Sequence, residues 1–216
     1  MTVQSPIPDF RTARLAMVEN QLRPQGVVDA RITDAMSHVE RERFLPPHTR
    51  PLAYVDRAVS IGEGRFLSAP TVLGQLLMQM MPEPGHRALV VGAGTGYSAA
   101  VLGHIGVEVV ALEESPELIR HGSELGITFV EGPLAAGHKK GAPYNLILID
   151  GAVDVIPDAI VQQLADGGRL GTALNDRGIT RLIVGRKAGN AFGYLSIGDA
   201  GVPALPGFSR PKAFNF

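Results

Sequence analysis

The segment Gly92-Ala93-Gly94-Thr95-Gly96 restricts the fold of this 216-residue chain more than any other feature. Three glycines in five residues are typical of a turn that joins a strand to a helix beside a bound ligand, because glycine has no Cβ atom to block a close approach. The apolar run at 88–91 predicts a buried strand, and the apolar spacing at 97–105 predicts the helix that follows. Together they predict a nucleoside-binding turn in an α/β domain.

Two further positions indicate which ligand fits this turn. A dinucleotide fold needs a third glycine at position 97, where the helix packs closely on the strand, and this chain has Tyr97 there. Glu113 ends the second apolar run, and a carboxylate at that point accepts hydrogen bonds from both hydroxyls of a ribose. The combination favours S-adenosyl-L-methionine, and an NAD-dependent oxidoreductase is the less favoured alternative.

Beyond residue 85, short apolar runs alternate with helical patterns, which is typical of a mostly parallel sheet with helices on both faces. We predict strands at 88–91, 107–112, 127–130, 146–149 and 169–174, and an antiparallel pair at 180–186 and 192–197. The fold class is therefore α/β and Rossmann-like. We expect residues 1–84 to form an N-terminal helical extension and a substrate-loop segment of the same domain. Residues 85–216 are expected to form the cofactor-binding α/β core.

Outside the sheet, apolar spacing and capping residues predict the helices. A first helix is predicted by residues that share one face, Leu15, Val18 and Leu22. Asp29 is a predicted N-cap for the second helix, and Ser68 is a predicted N-cap for a helix with Pro70 just inside it. Prolines and glycines predict a long connection without regular structure at 44–67. Helices are also predicted from residue 116 and at 157–164, and the tail is expected to be irregular from Gly198.

More candidate ligand contacts end the later strands. Glu131 and Gly132 follow the third apolar run, and Asp150 ends the fourth. Because ligands bind at the carboxyl edge of such sheets, these residues are expected to lie near Glu113 and the glycine turn. Asp150 has two open interpretations, a contact to the sulfonium or adenine of the cofactor and an Asx turn with Gly151.

Composition excludes several functional classes. The net charge is -1, so no overall positive field attracts nucleic acid or an anionic membrane. There are no cysteines, which excludes disulfides, thiolate metal sites and a cysteine nucleophile. The six histidines form no pair at metal-binding spacing, so no metal is expected.

The N-terminal sequence lacks the order of charged and apolar residues of a signal peptide, and no apolar run reaches the length of a membrane span. A soluble cytoplasmic protein is therefore expected, with a monomer favoured.

Several ordered segments between residues 17 and 170 resemble those of one enzyme family. The segments are Met17-Val18-Glu19-Asn20-Gln21-Leu22-Arg23, Phe44-Leu45-Pro46, Ala53-Tyr54-Val55-Asp56-Arg57, Ile61-Gly62-Glu63-Gly64, Ser68-Ala69-Pro70, the glycine turn with Tyr97, Ala142-Pro143-Tyr144, Ile156-Pro157 and Gly167-Gly168-Arg169-Leu170. In this order they are similar to the protein-L-isoaspartate (D-aspartate) O-methyltransferases, and the chain resembles a divergent member of that family.

The resemblance implies a seven-stranded class I methyltransferase fold, with S-adenosyl-L-methionine as methyl donor and S-adenosyl-L-homocysteine as product. The implied acceptor is an isoaspartyl or D-aspartyl carboxylate in a damaged protein, whose methyl ester then collapses through a succinimide and starts repair. The expected cofactor contacts are Gly92, Ala93, Gly94, Thr95, Gly96, Tyr97, Glu113, Glu131, Gly132 and Asp150. The expected acceptor contacts are Ile61, Gly62, Phe66, Leu67 and Ser68. Of these, Ser68 is expected to hydrogen-bond the acceptor carboxylate while the 61–67 loop closes over it.

This chain also departs from the family pattern at several positions. It has Phe66-Leu67 where the family has Thr-Ile, Val90 where an acid is usual, Glu131 in place of Asp, and Asp150 where a small residue or Thr is usual. Its tail lacks the Val-Pro-Leu segment that lines the peptide groove of the family. Two alternatives therefore stay open, a methyltransferase with a different acceptor and a non-catalytic module that binds S-adenosyl-L-methionine.

Overall fold

The computed structural model of the protein describes residues 9–176 and 178–210. Its helices are α1 (Phe10–Met17), α2 (Ala30–His38), α3 (Pro70–Met80), α4 (Tyr97–His104), α5 (Pro116–Glu124) and α6 (Asp158–Val161). Its strands are β1 (Val59–Gly62), β2 (Arg65–Leu67), β3 (Arg87–Val91), β4 (Glu108–Glu113), β5 (Phe129–Glu131), β6 (Tyr144–Val153), β7 (Leu164–Asp176), β8 (Ile179–Ala188) and β9 (Ala191–Asp199). No helix in these ranges is both long and apolar enough to cross a bilayer.

A seven-stranded sheet forms the centre of the molecule, in the order β5-β4-β3-β6-β7-β8-β9. The strands from β5 to β7 pair in parallel, β8 pairs antiparallel with β7, and β9 pairs antiparallel with β8. Along β3, Ala88 and Val90 lie in one apolar cluster while Leu89 and Val91 lie in another, so both faces are buried. A strand covered on both faces needs apolar residues at every position, which explains the continuous run at 88–91. The predicted α/β fold and the antiparallel pair are confirmed.

Two elements near the middle of the sheet differ in length from the prediction. Strand β6 extends well beyond 146–149 at both ends, and the helix predicted at 157–164 is reduced to the single turn of α6. The reason is strand pairing, because Leu164 pairs with Tyr144 at the start of β6 and already belongs to β7. Tertiary hydrogen bonds therefore end the helix before its apolar pattern does.

The N-terminal helices confirm one predicted cap and correct one predicted face. Asp29 caps α2, since its carboxylate accepts a hydrogen bond from the backbone N–H of Arg31 at 2.8 Å. Leu15, however, is 49% exposed, whereas Val18 and Leu22 are buried. The chain changes from α1 into a π-helical turn at Val18–Leu22, so the residues after Met17 rotate away from the face that includes Leu15.

The connection at 44–67 is more regular than predicted, because β1 and β2 form an antiparallel hairpin at its end. Buried Val59 and Ile61 alternate with the exposed Ser60 and Gly62 along β1, which is the pattern of a half-buried strand. The predicted cap at Ser68 is also wrong. Helix α3 has Ala69 at its N-cap position, and its first turn is capped by Asp56, which accepts from the Thr71 N–H at 3.1 Å.

The tail after β9 is irregular, as expected, but it is packed against the sheet. Ala204 forms a bridge with Ala152 of β6, and the Leu205 N–H donates to the Ala152 carbonyl at 2.7 Å. Val202, Leu205 and Phe208 are buried. The tail thus crosses the carboxyl edge of the sheet. The sequence predicts that it lacks the Val-Pro-Leu segment that lines the peptide groove of the family. Residues 211–216 of that tail lie outside the described residues.

Candidate active site

The glycine turn forms as predicted between β3 and α4. Its three glycines have left-handed backbone conformations, with φ of +72° at Gly92, +59° at Gly94 and +95° at Gly96. Residues with a Cβ atom rarely adopt these angles, so the dense glycines are required by the backbone path itself. Helix α4 begins immediately after the turn, at Tyr97.

Glu113 lies at the end of β4, facing this turn, and is completely buried. One carboxylate oxygen, Oε2, accepts from the backbone N–H of Gly94 at 2.7 Å. The other, Oε1, accepts from the backbone N–H groups of Glu114 at 2.9 Å and Ser115 at 3.1 Å. Three backbone donors therefore fix the carboxylate, because a buried charge needs such partners to offset the loss of water.

Arg65 supplies a fourth donor to Glu113, from the β1–β2 hairpin. Its guanidinium forms a salt bridge of 2.8 Å to Glu113 Oε1 and donates to the carbonyl of Gly92 at 2.7 Å. The exposed fractions of the two side chains are 6% and 0%, so the ion pair is shielded from water. Arg65 was absent from the predicted site residues.

Other side chains of the protein fill the rest of the space beside the turn. A Cβ atom placed on Gly94 would meet Ile61 Cδ1 at 2.7 Å. A Cβ atom placed on Gly92 would meet Arg65 Nη2 at 2.8 Å and Leu205 Cδ1 at 2.9 Å. The cavity that remains measures about 10 Å³ and is lined by Arg65, Phe66, Ser68, Asp150, Gly151, Val202, Pro203, Ala204 and Leu205. The space left by the missing glycine side chains is thus occupied by the protein itself.

Ser68 and Asp150 lie on the other side of this small cavity. The Ser68 hydroxyl donates to Asp150 Oδ1 at 2.8 Å, and the Ser98 hydroxyl of α4 donates to Asp150 Oδ2. These bonds to side-chain donors disfavour the Asx-turn interpretation of Asp150. Burial raises the pKa of Asp150, and the hydrogen bonds from Ser98 and Ser68 only partly oppose that rise.

The backbone beside Ser68 is fixed by Arg41, a completely buried arginine. Its Nη2 donates to the Ser68 carbonyl at 2.6 Å and its Nε donates to the Ala53 carbonyl at 2.7 Å. The guanidinium carbon lies 4.8 Å from the centre of the Tyr97 ring. Arg41 therefore connects the segment before α3 to the start of α4.

Several predicted cofactor contacts have hydrogen-bond or packing partners within the protein. Thr95 donates its hydroxyl to the Phe44 carbonyl at 2.7 Å, and the buried Tyr97 ring forms a T-shaped pair with the Phe44 ring. Glu131 is exposed at the end of β5, although its Cα position pairs with Glu113. Gly132 donates its N–H to the Glu113 carbonyl at 3.1 Å.

Sequence reasoning missed Arg65, Arg41 and Ser98 for different reasons. Arg65 follows two glycines in what looked like an irregular loop, so its inward direction depends on the hairpin register. Ser98 could have been predicted from the sequence. It directly follows Tyr97 in the first turn of a helix whose N-terminus faces the sheet edge. Arg41 has no local signal, because its burial depends on contacts more than ten residues away.

The structure also brings together three potential metal ligands that the histidine spacing did not reveal. Asp34 and His38 lie one turn apart on α2, and His104 at the end of α4 contacts Asp34 at 3.2 Å. The His38 and His104 rings are stacked with centres 5.2 Å apart. All three residues are exposed, and their mutual hydrogen bonds account for the arrangement.

A larger cavity lies away from these groups. It measures about 530 Å³ and is lined by Asp154, Val155, Ile156, Asp158, Val161, Gln162, Leu174, Asn190, Phe192, Tyr194 and Arg210. None of the predicted site residues lines it. The chemistry-bearing groups therefore favour the smaller cavity beside Ser68 as the site.

The donor set beside the turn fits the adenosyl group of S-adenosyl-L-methionine. A buried carboxylate at the end of the second parallel strand is placed to accept ribose hydroxyls, and the glycines permit close contact with the rest of the molecule. In the conformation described, however, Arg65 makes the contacts that the ribose needs. The chemistry of the site fits the cofactor. The cofactor would have room only if the hairpin side chains and Leu205 of the tail moved.

Comparison with known proteins agrees with this architecture. The family model described as protein-L-isoaspartate(D-aspartate) O-methyltransferase matches residues 13–194. The protein-L-isoaspartate O-methyltransferase of Aeropyrum pernix is 41% identical over 173 residues, which cover 74% of this chain and 66% of that protein. The enzyme of the same name from Protochlamydia amoebophila is 33% identical over 202 residues, covering 88% of this chain and 95% of that protein.

Solved structures share the fold at lower identity. A protein-L-isoaspartate O-methyltransferase has a TM-score of 0.78 and 24% identity, covering 91% of this chain and 66% of that one. A Plasmodium falciparum protein in complex with S-adenosyl-L-homocysteine has a TM-score of 0.76 and 20% identity, covering 89% of this chain and 97% of that one. The segment that crosses the sheet edge at 200–205 lies beyond the family match, which ends at 194.

Proposed function

The chain belongs to the protein-L-isoaspartate(D-aspartate) O-methyltransferase family, and on that basis we propose that it methylates isoaspartyl or D-aspartyl carboxylates in damaged proteins. The methyl donor is S-adenosyl-L-methionine. The methyl ester that forms is more reactive than the free acid, so it collapses through a succinimide and starts repair. The substrate is therefore a protein or peptide that carries the damaged residue.

One observation carries this proposal beyond the family match. Ser68, the proposed acceptor contact, shares a cavity with Arg65, whose guanidinium pairs with Glu113 at the proposed ribose contact. Because β3 and β6 are neighbouring strands, the glycine turn and Asp150 lie side by side at the carboxyl edge. A donor and an acceptor bound to these two groups would meet over the same short stretch of the sheet.

The reaction requires orientation rather than acid or base catalysis. Bound S-adenosyl-L-methionine supplies an electrophilic methyl group on a sulfonium. An aspartyl-type carboxylate has an unperturbed pKa of about 4, so it is already ionised near neutral pH and needs no general base. The contribution of the protein is to align the groups and exclude water, and such orientation supplies roughly 7–11 kcal/mol at best.

We assign the acceptor contact to Ser68 and the positioning of that serine to Arg41. In the conformation described, the Ser68 hydroxyl donates to Asp150, so it must turn from that carboxylate toward the acceptor carboxylate. Burial raises the pKa of Asp150, which lies beside this hydroxyl. Arg41 holds the Ser68 carbonyl, which keeps the backbone fixed while the hydroxyl rotates.

Radiolabel transfer from S-adenosyl-L-methionine to an isoaspartyl peptide tests the proposal. The wild type is expected to label the isoaspartyl peptide and to leave the matched aspartyl peptide unlabelled. Ser68→Ala is expected to lower kcat/KM by about 10-fold or more, because it removes a hydrogen bond to a charged group. Ser196→Ala, an exposed serine of β9, is the matched control and is expected to retain full activity. Full activity in Ser68→Ala would refute the assigned role.

A second candidate, a methyltransferase with a different acceptor, is favoured by Asp150. A carboxylate that accepts from Ser68 is also suited to accept a hydrogen bond from an acceptor hydroxyl or amine. Transfer to small hydroxyl or amine acceptors without any transfer to isoaspartyl peptide would support this candidate over the first. Cofactor binding without transfer to any acceptor would instead favour a non-catalytic binding module.

A further inference from the structure

We infer that Arg65 is an internal competitor of the cofactor for Glu113, so that the β1–β2 hairpin must release this arginine before the adenosyl group binds. This inference rests on the proposed cofactor site and adds a regulatory contact to it. Its basis is the position of the guanidinium, which lies between the buried carboxylate and the Gly92 carbonyl at 2.8 Å and 2.7 Å.

The contacts of Arg65 coincide with those that the ribose requires. Oxygen Oε1 of Glu113 already accepts from two backbone N–H groups and Arg65, and Oε2 accepts from the Gly94 N–H. Three donors converge on Oε1 and one on Oε2, so Oε1, with about two lone-pair positions, has none left. A ribose hydroxyl therefore cannot approach Oε1 of Glu113 while Arg65 remains in place.

The space beside the glycine turn also requires that the hairpin side chains leave before the cofactor binds. Arg65 Nη2 lies 2.8 Å from the position that a Gly92 Cβ atom would take, which is the surface that glycine leaves open for a ligand. Ile61 of the same hairpin lies 2.7 Å from the corresponding point on Gly94. One movement of the hairpin therefore removes the ionic obstacle and the steric obstacle at Gly94, while Leu205 of the tail still lies 2.9 Å from the corresponding point on Gly92.

Loss of Arg65 leaves the carboxylate with sufficient partners for the site to persist. Glu113 keeps three backbone donors, at 2.7, 2.9 and 3.1 Å, all from the turn and from its own strand end. These donors do not depend on the hairpin. An Arg65 variant is thus expected to keep the cofactor-binding carboxylate in place while removing its competitor.

Arg65→Gln tests the inference through equilibrium binding of S-adenosyl-L-homocysteine, measured by calorimetry without any acceptor. Two charge-assisted contacts no longer compete, so the variant is expected to bind about 10- to 100-fold more tightly than the wild type. Arg65→Lys keeps the charge but lacks the planar fork that reaches both partners, and an intermediate affinity is expected. Arg120→Gln, at an exposed arginine of α5, is the matched control and is expected to bind like the wild type.

The outcomes separate this inference from the proposed function. Tighter binding by Arg65→Gln than by the wild type and Arg120→Gln supports the competition. Equal or weaker binding in a folded Arg65→Gln protein overturns it and leaves the proposed function intact. If Arg65→Gln does not fold, Arg65→Lys takes its place. Tighter binding by Arg65→Lys than by the wild type then supports the competition, and equal or weaker binding overturns it. Absence of binding in the wild type and both Arg65 variants overturns the competition and the cofactor site together.

Discussion

Replacement of Glu113 by glutamine tests how the site contributes to the stability of the fold. The carboxylate has no exposed surface and accepts four hydrogen bonds, one of them from the buried guanidinium of Arg65. The amide nitrogen of glutamine cannot accept, so at least one backbone N–H loses its partner, at a cost of about 1–3 kcal/mol. The buried arginine also loses its counter-charge, and breaking such a pair costs about 3–5 kcal/mol.

The amide oxygen of glutamine can still accept some of these hydrogen bonds, so the two costs do not add in full. We therefore expect Glu113→Gln to lower the free energy of unfolding by about 3–5 kcal/mol. At 2–4 °C per kcal/mol for a domain of this size, the melting temperature should fall by roughly 6–20 °C. Urea denaturation followed by circular dichroism measures the free energy directly.

The matched control is Glu131→Gln, because Glu131 occupies the paired position on the neighbouring strand but is exposed. Its substitution should change the free energy of unfolding by no more than about 0.5 kcal/mol. In the double variant Glu113→Gln with Arg65→Gln, the cost should be less than the sum of the single costs, since no unpaired charge remains buried. Equal stabilities of the Glu113→Gln and Glu131→Gln proteins would refute the buried network.

Two other predictions concern the edge of the sheet and the packing of α5. Burial raises the pKa of Asp150, so the wild type should lose stability as the pH rises from about 4 through that raised value, and Asp150→Asn should not. Between acidic and neutral pH, the melting temperature of the wild type should therefore fall relative to that of Asp150→Asn. A constant difference between the two melting temperatures over this pH range would contradict the raised pKa of Asp150. Gly122→Ala should destabilise the fold although alanine favours helices, because its Cβ would lie 2.6 Å from the Thr95 carbonyl oxygen. Gly103→Ala in α4 meets no atom within 4 Å and should be neutral or stabilising by up to about 1 kcal/mol, and a similar loss in both variants would contradict the packing argument.

The sequence predicted those parts of the fold that depend on local patterns. The apolar run at 88–91, the glycines at 92–96 and the acid at 113 each have a signal within a few residues, and the strand, the turn and the buried Glu113 follow from it. The cap at Asp29 is equally local. The continuous apolar runs also indicate the parallel central strands, because both faces of a parallel sheet are buried.

The parts that could not be predicted depend on contacts between distant segments. Ser68 has the sequence context of a helix cap, but Asp150 on β6, 82 positions later, accepts its hydroxyl. Arg65 reaches Glu113 across 48 positions, through a hairpin whose register decides which side chains face inward. Leu205 contacts the glycine turn because the tail pairs with Ala152, an arrangement with no local pattern.

The most direct test of the proposed activity is mass spectrometry of an isoaspartyl peptide and its aspartyl counterpart after incubation with the wild-type protein and S-adenosyl-L-methionine. We predict a mass increase of one methyl group on the isoaspartyl peptide alone, followed by conversion to the succinimide. An unmodified isoaspartyl peptide, under conditions in which calorimetry shows the protein saturated with S-adenosyl-L-methionine, would contradict the proposed activity.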